Sequence, residues 1–306
     1  MLEHTFSHIA GIGAKTETDL WANNISDWDS FNNATELKLS DSKLNHIKKT
    51  LLESEKNIKE NNPNYFSEGL QTNQHWRLFR EFKQSTAYID IETTGLYPGY
   101  DKITTIAIYD GSQIKYYVNG KNLDDFKTDI FDYNLLVTYN GKCFDIPFIE
   151  EFFKITLNHS QIDLRYLLHS LGYSGGLKGC EKQLGISRNE LEGIDGYFAI
   201  YLWEDYKENK NKKALDTLLA YNIEDVVNLE NLMHQAYNLK LQTTPFEEEL
   251  KMSIPERPII PFEPDQRTIE KIKNRQYSAY TYELDFGIET EPETSVWGWL
   301  KKNLLQ

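Results

Sequence analysis

Apolar and polar positions change period several times along this chain, and each change marks an element. Between 86 and 118 three runs stand out: Thr86-Ala-Tyr-Ile-Asp-Ile-Glu92, Ile103-Thr-Thr-Ile-Ala-Ile-Tyr109 and Gln113-Ile-Lys-Tyr-Tyr-Val118. β-Branched and aromatic residues dominate them, which predicts three strands. Short turns such as Asp110-Gly111 join consecutive strands, so hairpins are expected. A helix near 122–131, a strand at 135–139, a helix from 146 and a short strand near 160–163 follow. Farther on, Leu215, Leu218, Leu219, Val226 and Leu229 recur at helical spacing. Upstream, Ser40 opens an amphipathic helix over 40–60 that Asn61-Asn-Pro-Asn64 ends, and His75 to Phe82 predicts another helix. Hairpin strands followed by strand–helix alternation imply an α/β fold, a mixed sheet with helices on both faces.

The pattern divides the chain into three regions. Residues 1–84 read as a helical N-terminal region, 85–240 as the α/β domain, and 241–306 as a proline-rich extended segment with a tail. Five of the nine prolines fall within 241–265. A helix at 267–275 and a short apolar stretch, Trp297-Gly-Trp-Leu300, end the chain.

Three short motifs carry chemistry. In the first, Asp90 and Glu92 lie two apart on a strand, so they share one face at its carboxyl end. Two carboxylates that close repel unless a cation sits between them. In the second, a strand runs through Asn140-Gly141 into a helix, with Asp145 at or near the N-cap and Pro147 in the first turn. A plain capping aspartate is the other reading of Asp145. In the third, Tyr221 and Asp225 are four apart and share one helix face. Glu224 and Glu230 beside them also fit a solvated polar face.

Taken in order, Asp-x-Glu, Asn-x-x-x-Phe-Asp and Tyr-x-x-x-Asp resemble the DEDDy class of 3′–5′ exonucleases in the RNase H-like superfamily. Ala220 stands where the histidine class places its histidine, which favours the tyrosine class. Gly175-Gly-Leu-Lys178 through Arg188, and Gly193 through Trp203, are similar to the YprB-type family of predicted exonucleases. The resemblance covers roughly residues 70–240. It implies a five-stranded RNase H-like sheet with the site where the first and fourth strands meet. It implies two divalent ions, Mg²⁺ or Mn²⁺, shared by Asp90, Glu92, Asp145 and Asp225, with Tyr221 orienting the attacking water. Thr93, Gly95 and Leu96 are expected at the terminal nucleotide, and Asn140 steadies the site. Lys178 and Arg188 are expected to contact phosphate.

The implied substrate is the 3′ end of a single-stranded nucleic acid. DNA is favoured as the expectation, and no residue separates it from RNA. A helicase or repair partner is left open. Two other readings remain: an inactive RNase H-like binding module, and an RNase H-type endonuclease. The formal net charge of −14 argues against a DNA-coating protein and for a short footprint.

Near the N-terminus, Gly11-Ile-Gly13-Ala-Lys15 resembles the turn of a helix-hairpin-helix, in which backbone N–H groups face a phosphate. The alternative is a helical cap whose Trp21, Trp28 and Phe31 pack on the domain. Cys143 and Cys180, the only cysteines, support no disulfide framework, and a buried Cys143 is expected. No apolar run is long enough for a membrane span, and the N-terminus lacks a secretion signal. A cytoplasmic protein is expected.

Overall fold

A computed structural model describes residues 1–274, apart from Glu36, Lys38 and Gly193. The Trp297–Leu300 stretch lies outside the described residues. The strands are β1 Thr86–Thr93, β2 Ile103–Tyr109, β3 Ile114–Val118, β4 Leu135–Thr138 and β5 Ser160–Asp163. They form one sheet in the order β3-β2-β1-β4-β5. β1–β2 and β2–β3 are antiparallel, while β1–β4 and β4–β5 are parallel. The α-helices are α1 Ala14–Ala22, α2 Trp28–Asn33, α3 Asp41–Lys59, α4 Pro63–Gly69, α5 Phe79–Phe82, α6 Phe126–Asp129, α7 Asp145–Phe153, α8 Leu164–His169, α9 Gly176–Gln183, α10 Gly196–Asn209, α11 Lys212–Leu241 and α12 Glu247–Leu250. The predicted helix over His75–Phe82 is instead a 3₁₀ stretch, Thr72–Leu78, that passes into the short α5. None of the described helices is long and apolar enough to cross a membrane.

Strand periodicity sorts the sheet's side chains onto two cores. Ala87, Ile89 and Ile91 of β1 pack with Ile106, Ile108, Phe126 and Phe148. Tyr88 faces the other way, with Ala107, Val137 and the apolar residues of α11. Asp90 and Glu92 have the parity of Tyr88, so they point toward α11.

α11 is buried on nearly every side, which its amphipathic pattern does not announce. The segment 251–265 explains this, because it runs along the helix and hydrogen-bonds to it. Asn238 Nδ2 donates to the Met252 carbonyl at 2.8 Å, and the Asp265 N–H donates to Thr217 Oγ1 at 2.9 Å. Glu224 and Glu230 are therefore not on a solvated face. Glu224 pairs with Arg257 of that segment, and Lys83 approaches Glu230 at 3.8 Å. A helix over 266–274 follows.

The N-terminal region shares the α11-side core. Met1, Leu2, Phe6, Trp28 and Phe31 are buried in the same apolar cluster as Tyr237 and Phe246. The buried Glu17 of α1 accepts from the Phe6 and Ser7 N–H groups at 2.7 and 2.9 Å. Arg77 reaches the same carboxylate at 2.8 Å. The first arm of the hairpin is only a 3₁₀ turn, Leu2–His4, so a single true helix flanks Gly11-Ile-Gly13. Removing residues 1–38 would strip several large side chains from this core. Each buried side chain truncated typically costs about 2–5 kcal/mol against a total stability of about 5–15 kcal/mol. The expected result, read by thermal melting, is loss of the cooperative transition. A deletion that melted normally would show that this region folds apart from the domain.

Candidate active site

β1 ends beside α11, and the two elements supply the cluster. Asp90, Glu92 and Asp225 each offer an oxygen, and these lie within 4.8 Å of one another. Tyr221 lies one turn before Asp225 on α11, and both line the same cleft of about 750 Å³. Asp145 is the first residue of α7, with Phe144 at the N-cap. Its Oδ1 accepts from the Ile91 N–H at 3.1 Å, which ties the start of α7 across to β1. Asp145 thus caps a strand amide as well as sitting at the start of its own helix.

Burial and mutual repulsion dominate the electrostatics. Asp90 is held well above the usual carboxylate range by burial, then by the charges of Asp225, Glu92 and Asp145. Burial and Asp225 raise Glu92 in the same way. Burial raises Asp145 to about 7 against the pull of its bond to Ile91. The Tyr221 phenol is also raised, by burial and then by Asp225 and Glu92, so it keeps its proton at neutral pH.

The raised Asp90 has a testable consequence in the metal-free protein. Its unfolded form ionises near the ordinary value of about 3.9, whereas the folded form holds the proton to higher pH. Above about pH 4 the folded state therefore binds more protons, and this group costs stability as pH rises. Asp90→Asn keeps an oxygen for Asn222 and removes the charge. The melting temperature of the variant minus that of wild type should be near zero at about pH 4. It should grow as pH rises above that. A flat or shrinking difference would contradict the charge cluster.

Residues 87–237 match the RNase_H_2 family of the RNase H superfamily. The fold is RNase H-like. Among similar solved structures is the family B DNA polymerase from the hyperthermophilic archaeon Pyrobaculum calidifontis, 15% identical with a TM-score of 0.40. That match covers 55% of this chain and 27% of the polymerase, so it spans well under half of that protein's length. Another is Brucella melitensis NrnC with bound Mg²⁺, 16% identical with a TM-score of 0.28, over 56% of this chain and 91% of NrnC. No curated protein matches the chain.

The RNase H-like sheet also places the remaining residues singled out in the sequence. Thr93, at the end of β1, and Gly95 and Leu96, in the turn that follows, line the cleft. A Cβ on Gly95 would lie 2.5 Å from the Asp101 carboxylate, so no side chain fits there without moving Asp101. Asp101 holds this turn by accepting from the Tyr97 N–H at 2.9 Å. Asn140 also lines the cleft, at a left-handed φ of 66°. Its Oδ1 accepts from Arg165 at 2.7 Å, and its N–H donates to Asp163 at 2.8 Å. Lys178 lies on α9 with its Nζ 4.8 Å over the Tyr221 ring, donating to the Ile194 carbonyl. Arg188 is buried behind Asp225 instead of lying open to the cleft, and it is absent from the cleft lining. Gly11 and Gly13 sit on an exposed turn and Lys15 is exposed in the first turn of α1, and none of the three lines the cleft.

Two residues of the site escape a motif reading. Asn222, fully buried, donates to Asp90 Oδ2 at 2.7 Å and accepts from Thr105 at 3.0 Å. Its one signal is a mid-helix asparagine beside Tyr221. Glu181 braces Arg188, and nothing in its sequence context marks it. Cys143 is exposed, not buried, because it lies on the turn before α7 with its sulfur 3.1 Å from the Tyr166 hydroxyl. Cys180 is the buried one.

Proposed function

We propose that this protein is a metal-dependent 3′–5′ exonuclease of the DEDDy class, acting on single-stranded nucleic acid, DNA foremost. The YprB-type resemblance supports that class. One observation carries the reading: three carboxylates from β1 and α11 converge within 4.8 Å, with Tyr221 one turn from Asp225. Like charges this close are stable only with protons or cations among them. An all-carboxylate oxygen set suits hard divalent ions. Asp90, Glu92 and Asp225 would hold two Mg²⁺ or Mn²⁺ ions with Asp145, and bound ions supply phosphate polarisation and an acidified water.

The chain's own groups do the rest. Asn222 fixes the Asp90 carboxylate from behind. Tyr221, kept protonated, can both donate to and accept from a water, which suits it to orient the nucleophile. The cleft is walled by Leu96 and by the rings of Tyr97, Phe144, Tyr173 and Tyr197, and aromatic faces stack on bases without sequence preference. Lys178 does not line the cleft itself, but it interacts electrostatically with Asp225 and Glu92 and would add positive charge for a phosphate drawn to the cluster. A cytoplasmic setting suits the free thiols Cys143 and Cys180.

The test uses single-stranded DNA and RNA labelled at the 3′ or the 5′ end, with Mn²⁺. Early release of the 3′ label as mononucleotide, with a shortening 5′-labelled ladder, is the expected result. Cleavage of closed circles would turn the reading to an endonuclease. Binding without cleavage would turn it to an inactive module.

A further inference from the structure

One buried cation stands directly behind the cluster. Arg188 is 6% exposed and makes a contact ion pair with Asp225. Among the described residues no salt bridge reaches Asp90, Glu92 or Asp145, so Asp225 is distinct in having a fixed counter-charge. The guanidinium is itself held from the far side. Its Nε and Nη2 donate to the two oxygens of Glu181 at 2.5 and 2.6 Å, a bidentate fork. Glu181, 1% exposed, is in turn fixed by Asn228 of α11, whose Nδ2 donates at 2.9 Å.

Local sequence explains how a residue beyond α9 returns to this place. Gly185, at φ 76°, closes the helix end. The Ile186 N–H bonds back to the Glu181 carbonyl at 2.9 Å and the Gly185 N–H to Lys182 at 3.3 Å, a Schellman turn. The chain then folds over the end of α9 and lays Arg188 along Glu181.

We propose that Arg188, braced by Glu181, is a positioning residue for Asp225 and not a contact to substrate phosphate. With one Asp225 oxygen ion-paired to Arg188, though not hydrogen-bonded to it, the carboxylate is held on that side and one oxygen remains to offer a metal. This rests on the nuclease reading only in taking Asp225 as a metal ligand. A lysine could keep the charge, but it has no planar fork to hold Glu181 and Asp225 together. The charge and the geometry are therefore separable.

The test compares wild type, Arg188→Lys and Glu181→Gln, after melting curves show which are folded. Mn²⁺ affinity is measured by calorimetry, and the single-turnover rate and substrate affinity at saturating Mn²⁺. In Arg188→Lys, Mn²⁺ should bind about 10-fold more weakly or worse, the usual scale for groups that orient a metal ligand. The rate should fall about as much, with substrate affinity unchanged. Glu181→Gln should move both the same way by less. Wild-type Mn²⁺ affinity and rate in Arg188→Lys would overturn the proposal. So would weaker substrate binding at an unchanged rate, which marks a phosphate contact. If Arg188→Lys does not fold, wild-type values in Glu181→Gln overturn it. Weakened Mn²⁺ binding in a protein whose wild type cleaves nothing would support the positioning role and sink the nuclease reading alone.

Discussion

Alanine in place of Asp90 or Asp225 should lower the rate of phosphodiester hydrolysis by about 100-fold or more, the usual scale for losing one catalytic interaction. Both side chains belong to the triad that converges within 4.8 Å. Their effects on stability should differ. Asp90→Ala relieves the repulsion from Glu92, Asp145 and Asp225 and gives up one hydrogen bond from the neutral Asn222, whose amide still has the residue-90 carbonyl at 3.2 Å. The metal-free Asp90→Ala protein should melt at or above the wild-type temperature. Asp225→Ala also relieves repulsion, but it leaves the buried Arg188 with Glu181 alone. An unpaired buried charge is costly, so the gain should be smaller or reversed. Single-turnover rates and melting curves in EDTA check both halves. A variant that kept more than about a tenth of the rate would remove its residue from the ligand set.

Chelation should have an equally large effect. With EDTA, cleavage should fall to background, and Mg²⁺ or Mn²⁺ should restore it. Asp90, Glu92 and Asp145 sit in a site that disfavours their charged forms, by burial first and then by mutual repulsion. Metal entry must displace the protons they hold. Restored activity should therefore need more metal at lower pH, measured as the half-activating Mn²⁺ concentration from about pH 6 to about pH 8, around the Asp145 value of about 7. Full activity in EDTA would end the metal-dependent reading.

The strands were legible because their signal is local. β1, β2 and β3 follow β-branched, alternating runs closely, and period 2 alone places Asp90 and Glu92 on one face. Likewise period 3.6 puts Tyr221 and Asp225 on one face of α11. Burial was less legible where it depends on what a distant segment covers. Glu224 reads as solvated, yet Arg257, 33 residues on, reaches it. Cys143 reads as core, yet the turn before α7 leaves it outside.

Two separations mark the division. The i, i+2 and i, i+4 spacings inside one element were set by the sequence alone, because backbone geometry fixes them whatever surrounds them. The contacts between elements were decided only in three dimensions. Asn222 reaches Asp90 across 132 residues, Asp145 reaches Ile91 across 54, and Arg188 meets Asp225 from beyond the end of a different helix. Such pairs depend on sheet order and helix docking, which no local pattern encodes. The carboxylates could be read as a set from their motifs, while the groups that hold them in place appear only where β1, α9 and α11 meet.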